Sequence, residues 1–219
     1  MFQKSISNLE KNLHKIYKAS KRDSVSIGLA NKHGLQQALA RFERDLHREV
    51  SKEGTSLKKT LIDSYITGYR DETGVLRRPL KKANQTINYP WSGMNYQQRL
   101  GKNYMEMVMQ MRNVITKELK GSGNLSNILL AIRDIEDKYR QRHELLVRTE
   151  IRHMHYQGEL EGYKKNKVSH IQYVTIGDHR VCPECQALEE YNDGIYPIEE
   201  APMLPRHPHC RCKEIPYEK

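Results

Sequence analysis

The sequence predicts an α+β protein in which an elongated, mainly helical N-terminal part precedes a small C-terminal antiparallel β module. Three observations lead to this fold class. Apolar side chains recur every three or four residues through most of the first 165 positions, short partly alternating segments follow Asn166, and all four cysteines lie between positions 182 and 212. A period near 3.6 residues indicates amphipathic helices, whereas alternation indicates strands.

The N-terminal third is predicted to form three amphipathic helices. Each places its apolar side chains on one helix face. Gly68 and Gly74 are expected to close the third helix, and the basic segment 77–90 is expected to be an irregular connector. The three apolar stripes consist of Ile6, Leu9, Leu13, Ile16 and Tyr17, then Leu35, Leu39, Phe42, Leu46 and Val50, and then Leu57, Leu61, Tyr65 and Tyr69.

A longer helix is predicted to begin near Asn95. The Asn95 side chain can cap it, and Gln98 stands three positions on, which is the spacing of a capping box. Residues 121–123 (GSG) should end it, and Asn124 or Ser126 can cap the next helix. The long helix carries Leu100, Tyr104, Met107, Val108, Met111, Ile115 and Leu119, and the next carries Leu129, Ile132 and Ile135.

A further helix is predicted over about residues 144–165. Its apolar stripe ends in two glycines, Gly158 and Gly162. A glycine inside a helix costs about 1 kcal/mol relative to alanine. Two glycines on one face therefore indicate that another backbone approaches closely, and Gly158 is assigned a structural role.

After Asn166 the pattern becomes that of a small sheet. Residues 170–176 partly alternate and are rich in β-branched and aromatic side chains. Residues 195–196 and 213–215 are shorter strand candidates. Prolines separate these segments, so the strands are expected to be short and antiparallel.

The chain is divided on these grounds into a basic helical region at 1–87, a helical core at 88–165 and a β module at 166–219. The net charge is +10; residues 1–100 hold 19 Lys and Arg against 9 Asp and Glu, whereas residues 151–219 hold 9 against 11. The basic N-terminal excess could contact DNA phosphates or an acidic protein surface. A solvated basic surface explains the same numbers.

Two features bear on the compartment. The sequence contains no apolar run near the roughly 18 residues that span a bilayer, and its start lacks the apolar block of a secretory signal. We therefore expect a protein without a membrane partner that stays in a cytosol. In a reducing compartment, clustered thiols act as metal ligands more often than as disulfides.

The four cysteines have the layout of a zinc site. Cys182 and Cys185 stand in a C-x-x-C turn, and Cys210 and Cys212 follow in the motif HPHCRC. A C-x-x-C turn presents two thiolates together, and a second pair of ligands can complete a tetrahedron around Zn²⁺. We favour these four cysteines as ligands of a structural zinc ion, which leaves no coordination position for a reactive water.

Two histidines widen the choice of ligands. His207 is the first substitute for a cysteine as a ligand. His209 is expected to be exposed or to contact a ligand without binding the metal itself. Four thiolates leave two negative charges uncompensated by Zn²⁺, and three nearby basic side chains are placed to offset them: Arg180, Arg211 and Lys213. Four reduced cysteines without a metal remain the alternative.

Several short motifs lie along the second half of the chain. In order they are WSG at 91–93, YQQRL at 96–100, LVRTE at 146–150, Gly158 and Gly162, DHRVCPECQAL at 178–188, and Pro205 with HPHCRC at 207–212. Together they resemble the phage head morphogenesis family, the minor head proteins similar to the F protein of phage Mu. The resemblance covers roughly residues 88–217, and its cysteine and HPHCRC elements are specific in combination.

The resemblance implies a minor capsid protein of a tailed bacteriophage that is not an enzyme. It would associate with the portal vertex and aid head assembly, DNA packaging or DNA delivery. The implied partners are the portal protein and other capsid or scaffold proteins, and the basic N-terminal region suits packaged double-stranded DNA. The implied location is the virion, in the head interior or at the portal vertex, after assembly in the host bacterial cytoplasm.

The LVRTE motif invites an interpretation as an active site, because two histidines follow it. Residues one or two positions apart do not share a helix face, however. Arg148 and Glu150 are therefore assigned structural roles, in which they pair with neighbours and fix their helix against the zinc module.

Two other functions fit parts of the sequence. A zinc-supported nuclease or toxin would use Asp178 and His179 for general base catalysis, but it would need an open metal position or further catalytic side chains. A nucleic-acid-binding zinc module is the second alternative. Against it, residues 151–219 are net acidic, whereas a docking finger would itself carry the basic charge.

Overall fold

The computed structural model confirms the predicted fold class, because the chain is mostly helical and ends in a small antiparallel sheet. It describes residues 3–20, 29–75, 78–120 and 125–218. The helices are α1 (Gln3–Ser20), α2 (Leu29–Thr73), α3 (Leu80–Asn88), α4 (Tyr96–Lys120), α5 (Leu125–Lys165) and α6 (Pro183–Glu190), and the strands are β1 (His170–Val174), β2 (Ile195–Pro197) and β3 (Lys213–Tyr217). None of the described helices has the length and apolar character needed to cross a membrane.

The chain forms two compact units, each built from two segments. Unit 1 consists of Met1–Thr55 and Gln97–Glu144, and unit 2 consists of Ser56–Tyr96 and Leu145–Lys219. The sequence predicted three continuous regions, 1–87, 88–165 and 166–219, and this division stays a prediction.

Two helix boundaries predicted from the sequence were wrong. The second and third predicted helices are one helix, α2, and no break occurs near Glu144 within α5. In α2 the hydroxyls of Ser51 and Thr55 bond to carbonyls four residues earlier, so they do not compete with the helix. In α5, Tyr139 and His143 are buried, so the buried face of the helix continues up to the position of the expected break.

The predicted connector at 77–90 is also corrected. Residues 80–88 form α3, and Ala83 and Ile87 are buried on one face of it. Pro79 immediately precedes the helix, where its missing N–H breaks no helical bond. The basic residues around this face obscured its apolar spacing.

The glycines and caps at the helix ends have mixed outcomes. Gly74 has a φ of +62° and its N–H donates to the Arg70 carbonyl at 2.8 Å, so it closes α2, whereas Gly68 lies inside that helix. The fourth helix begins directly after Asn95, as predicted. Arg77 and the predicted break and cap at 121–124 lie outside the described residues.

Unit 1 encloses an apolar core formed by α1 and by the unit's portions of α2, α4 and α5. Leu13, Leu46 and Met111 have no solvent exposure. Full burial of such a side chain stabilises the fold by about 1.5–3 kcal/mol. The core residues are Ile6, Leu9, Leu13, Leu35, Leu39, Phe42, Leu46, Met107, Met111, Ile115, Ile128, Ile132, Ile135 and Tyr139.

Unit 2 contains two buried clusters. The first joins the end of α2, α3, the first residue of α4 and α5 through Leu57, Leu61, Tyr65, Ala83, Ile87, Tyr96 and Met154. The second lies between α5 and the C-terminal module, which we define as residues 166–218, and it consists of Tyr156, Tyr163, Ile171, Tyr173, Cys185, Tyr196, Ile198, Leu204, Cys210 and Cys212. This second cluster is rich in tyrosine and cysteine.

The sheet of the C-terminal module has the strand order β2-β1-β3, and both pairs are antiparallel. In the central strand, Ile171 and Tyr173 are fully buried and their neighbours are partly exposed. This alternation agrees with the predicted strand, because successive side chains point to opposite faces.

Within unit 2, α2 and α5 cross at two glycines. A Cβ on Gly158 would lie 2.0 Å from the Tyr65 carbonyl oxygen, and a Cβ on Gly68 would lie 2.1 Å from the His155 carbonyl oxygen. The Ser64 hydroxyl donates to the Ile151 carbonyl at 3.0 Å beside this crossing. The close backbone approach expected from the glycines is thus present at Gly158.

Candidate metal centre

The C-x-x-C segment forms the start of α6. Cys182 is the N-cap residue, Pro183 occupies the first turn, and the Cys185 N–H donates to Cys182 Sγ at 3.4 Å. This bond lowers the pKa of the Cys182 thiol. The helix was missed from the sequence, although a proline directly after a candidate cap signals a helix start.

Five of the six candidate ligands come together in two groups. Cys182, Cys185 and His207 form one group, and Cys185, Cys210 and Cys212 form the other; ligand atoms within each group lie within 4.8 Å of one another. The sixth candidate, His209, is exposed and has a φ of +65°. The two groups share Cys185, which therefore stands at the centre of the cluster.

His207 is oriented toward the sulfurs. Its Nε2 lies 3.2 Å from Cys182 Sγ and 3.5 Å from Cys185 Sγ. Its Nδ1 lies 2.8 Å from the Pro208 carbonyl oxygen, which can only accept a hydrogen bond. Nδ1 therefore carries the proton, and the Nε2 lone pair faces the cysteines, as in a metal-binding histidine.

The other side of the cluster is buried. Cys185 Sγ lies 4.0 Å from Cys210 Sγ, and burial raises the pKa of the Cys185 thiol. The Tyr173 hydroxyl lies beside Cys185 and Cys212, and burial raises the pKa of Tyr173 above its usual value. A buried hydroxyl at this place can donate to a thiolate and so support ionised sulfur.

This donor set fits zinc. Thiolate sulfur and neutral imidazole are the ligands that structural zinc sites use. The distances between neighbouring donors, 3.2 to 4.0 Å, suit atoms that surround one small ion. The cluster could therefore hold a metal ion.

The basic side chains near the cluster are used differently from the expectation. Both guanidinium nitrogens of Arg211 donate to Asp178, at 2.7 and 2.6 Å, and the Arg180 N–H donates to Asp178 at 2.9 Å. These bonds hold the pKa of the Asp178 carboxyl well below its usual range. Arg180 and Arg211 therefore pair with Asp178, and of the three basic side chains Lys213 has no ion pair within the described ranges.

The WSG and LVRTE motifs meet on α5. The Trp91 indole N–H donates to Glu150 at 3.0 Å, and its ring stacks on His153 with centroids 4.1 Å apart. The Nδ1 atom of His153 lies 3.0 Å from the Leu204 carbonyl oxygen. Glu150 and His153 are both 2% exposed. Arg148 is exposed, and no ion pair of its side chain occurs within the described ranges.

Sequence reasoning missed a buried carboxyl group, Glu214. It accepts a hydrogen bond from the Tyr156 hydroxyl, and burial, with a smaller contribution from Glu159, raises the pKa of Glu214 to about 8. The guanidinium of Arg152 donates to the Cys212 carbonyl at 2.6 Å nearby. Glu214 is on the buried face of β3. A charged side chain is not expected to be buried, so its residue type gave no signal of this position.

The comparison with protein families identifies one match. The family model described as Phage Mu protein F like protein matches residues 109–215. The match includes every candidate metal ligand, Arg148, Glu150 and Gly158, and it begins after Trp91. No curated protein and no solved structure matches the chain. The resemblance stated from the sequence is confirmed over the matched residues.

Proposed function

We propose that this chain is a minor head protein of a tailed bacteriophage. It would assemble with the portal protein and with other capsid or scaffold proteins, and it would aid procapsid assembly, DNA packaging or DNA delivery. The observation that carries the proposal is the match of residues 109–215 to the Phage Mu protein F like family. Its place would be the head interior or the portal vertex of the virion.

The geometry supports a structural role over catalysis. The alternative nuclease needs Asp178 as a general base, but that carboxylate is engaged by Arg211 and Arg180. Its pKa lies far below the range in which a base takes up a proton at neutral pH. His179 is exposed on the same loop. The site therefore offers packing and ion pairing where the nuclease requires a free base.

The assembly role is tested by purifying heads made with and without the portal protein of the same phage. We expect the chain in heads that contain the portal and not in heads that lack it. Equal amounts in both kinds of head would contradict association with the portal. Salt extraction of filled and empty heads tests the proposed contact between the basic N-terminal region and DNA, because phosphate contacts weaken steeply with salt.

We further propose that the C-terminal module binds one structural zinc ion through Cys182, Cys185, His207 and Cys210. Geometry leads us to replace Cys212 in the set favoured from the sequence. Cys182 groups with Cys185 and His207, whereas Cys210 and Cys212 both belong to the group without Cys182. We choose Cys210 as the fourth ligand because its Sγ lies 4.0 Å from the Sγ of Cys185, which the two groups share. Zinc in this closed set would hold the start of α6 and the loop before β3 together, with no position for a reactive water.

Elemental analysis of the purified chain tests this ligand set. We expect about one zinc per chain, loss of zinc in His207→Ala, and retention in the matched variant His209→Ala. Cys212→Ser should also retain it. Loss of zinc in Cys212→Ser together with retention in His207→Ala would restore the set of four cysteines. Absence of metal from the wild-type chain purified without chelator would contradict the proposal.

A further inference from the structure

We propose that a basic cleft in unit 2 binds an extended acidic peptide of a partner protein. The cleft has a volume of about 1010 Å³, with α5 on one side and the loop and strand from Leu204 to Glu214 on the other. The inference rests on the proposed assembly role for the origin of the peptide. The binding property itself follows from the side chains that line the cleft.

The charge of the cleft is positive. Five cationic side chains line it, Arg148, Arg152, Arg180, Arg211 and Lys213, against two carboxyl groups. Asp178, which is outside the lining, pairs with Arg180 and Arg211. Arg148 and Lys213 are exposed and have no ion pair within the described part of the chain. An anionic group that enters the cleft therefore meets cations that are not already neutralised by the protein.

The remaining cations are fixed in place. Arg152 donates to the Cys212 carbonyl at 2.6 Å, which orients its guanidinium but does not neutralise its charge. Arg211 is held by two bonds to Asp178. Arg152 is thus a fixed cation without an ion pair among the described residues, in the same cleft as the exposed Arg148 and Lys213. A preorganised cation binds a carboxylate with a smaller entropy cost.

The chemistry of the lining favours a peptide over a nucleic acid. Leu145 and Ile151 are partly exposed and line the cleft among its cations. An acidic peptide can place carboxylates on the cations and apolar side chains on these two residues. A phosphodiester backbone carries no apolar side chain to cover them.

Fluorescence anisotropy of the full chain tests the proposal. The probe is a fluorescein-labelled octapeptide in which glutamate alternates with leucine. Binding should weaken about tenfold or more in the double variant Arg148→Ala/Lys213→Ala, because it removes the two exposed cations that would donate charge-assisted hydrogen bonds to the glutamates. The matched control Arg44→Ala/Lys165→Ala removes the same charge from exposed positions outside the cleft and should bind like the wild type.

Each other outcome overturns the proposal. Equal weakening in the control variant would mean general charge attraction. Equal binding of a peptide with glutamine in place of glutamate would show that the charge of the peptide does not contribute to binding. Binding of labelled oligothymidylate but not of the acidic peptide would show that the cleft binds nucleic acid. Circular dichroism checks that both double variants keep the helical content of the wild type.

The outcomes for the cleft and for the assembly role can be told apart. A chain that enters portal-containing heads but does not bind the peptide refutes the cleft alone. A chain that binds the peptide through Arg148 and Lys213 but is missing from heads refutes the assembly role and keeps the cleft.

Discussion

The core of unit 1 and the core of the C-terminal module bury different chemistry. Unit 1 buries leucine, isoleucine and methionine from long helices, with a single tyrosine in its cluster. The buried cluster between α5 and the C-terminal module contains four tyrosines, two from each side, and three cysteines of the module. The first core needs only shape and apolar surface, whereas the second needs specific partners for hydroxyl and thiol groups.

This difference predicts separate responses to perturbation. Apolar burial tolerates small changes in geometry, because it is non-directional. Hydrogen bonds and metal coordination require each atom in its place. Metal removal and the substitution of Leu46 compare the two cores directly, and the substitutions at Gly158, Trp91 and His155 test contacts outside them; the expected effect decreases in this order.

Removal of the proposed zinc ion should produce the largest effect. Structural zinc contributes about 10–16 kcal/mol apparent in small zinc-dependent folds. Chelator treatment or Cys185→Ser should therefore abolish hydrogen-exchange protection of β1 and β3, while α1 and the unit 1 part of α4 stay protected. Unchanged protection of β1 after verified metal loss would show that tyrosine burial alone holds the module.

In unit 1 the largest single effect should come from a truncated core leucine. Leu46 has no solvent exposure, and we expect Leu46→Ala to lower the free energy of unfolding by about 3–4 kcal/mol. Leu130→Ala is the matched control, since Leu130 is 60% exposed and should cost little. Chemical denaturation followed by circular dichroism measures both; equal costs would refute the assignment of the core.

The glycine crossing in unit 2 should tolerate no added methyl group. We expect Gly158→Ala to cost about 2–3 kcal/mol, because its Cβ would lie 2.0 Å from a backbone oxygen that cannot move freely. Gly101→Ala is the control. A Cβ there meets no atom within 4 Å, so the variant should gain about 1 kcal/mol from helix propensity. Thermal denaturation measures both, and a neutral Gly158→Ala would contradict the close crossing.

The bond from Trp91 to Glu150 should have a smaller effect. We expect Trp91→Phe to cost about 1–3 kcal/mol, because it keeps a stacking ring beside His153 but removes a donor to a buried carboxylate. Trp91→Phe should cost less in the Glu150→Gln background, because the charge that the indole N–H stabilises is then absent. An equal cost in both backgrounds would contradict the role of this bond. Denaturant titration of the two single variants and the double variant measures the coupling.

The smallest effect should be a pH dependence at His155. A hydrogen bond to Glu159, opposed by partial burial and aided by Asp71, raises the pKa of His155. The folded state therefore holds this proton more tightly. The added stability is complete below about pH 6.5, the unfolded pKa of histidine, and is lost as pH rises through the higher folded pKa.

This contribution should be about 0.5 kcal/mol or less, since the pair is roughly one-third exposed and screened by solvent. Thermal midpoints at pH 6 and pH 8 should differ less in His155→Gln than in the wild type. The exposed His14→Gln serves as the control and should leave the difference unchanged. An identical pH dependence in His155→Gln would contradict the assignment.

The apolar stripes predicted most of the unit 1 core because burial there depends on periodicity alone. Leu9, Leu46 and Met111 were all placed correctly from their spacing. The helix ends were predicted less well. The sequence pattern indicated a break between the second and third apolar stripes. There the hydroxyls of Ser51 and Thr55 donate hydrogen bonds to carbonyls within α2, and the helix continues.

The candidate metal centre was only partly accessible to sequence reasoning. Spacing identified the cysteines and His207, because thiol and imidazole groups in these motifs have few other uses in a polar tail. It did not reveal the helix α6 that begins at Cys182, nor the tautomer of His207 set by the Pro208 carbonyl. These depend on atoms whose positions only folding fixes.

The sequence by itself determined the fold class, the family resemblance and the set of candidate ligands, since periodicity and side-chain chemistry are properties of residues and their spacing. The tertiary structure decided which groups meet. It brought Trp91 to Glu150, Asp178 to Arg211 and Glu214 to the cleft beside Arg148. Those pairings join residues that are 30 or more positions apart, and no local pattern along the chain encodes such contacts.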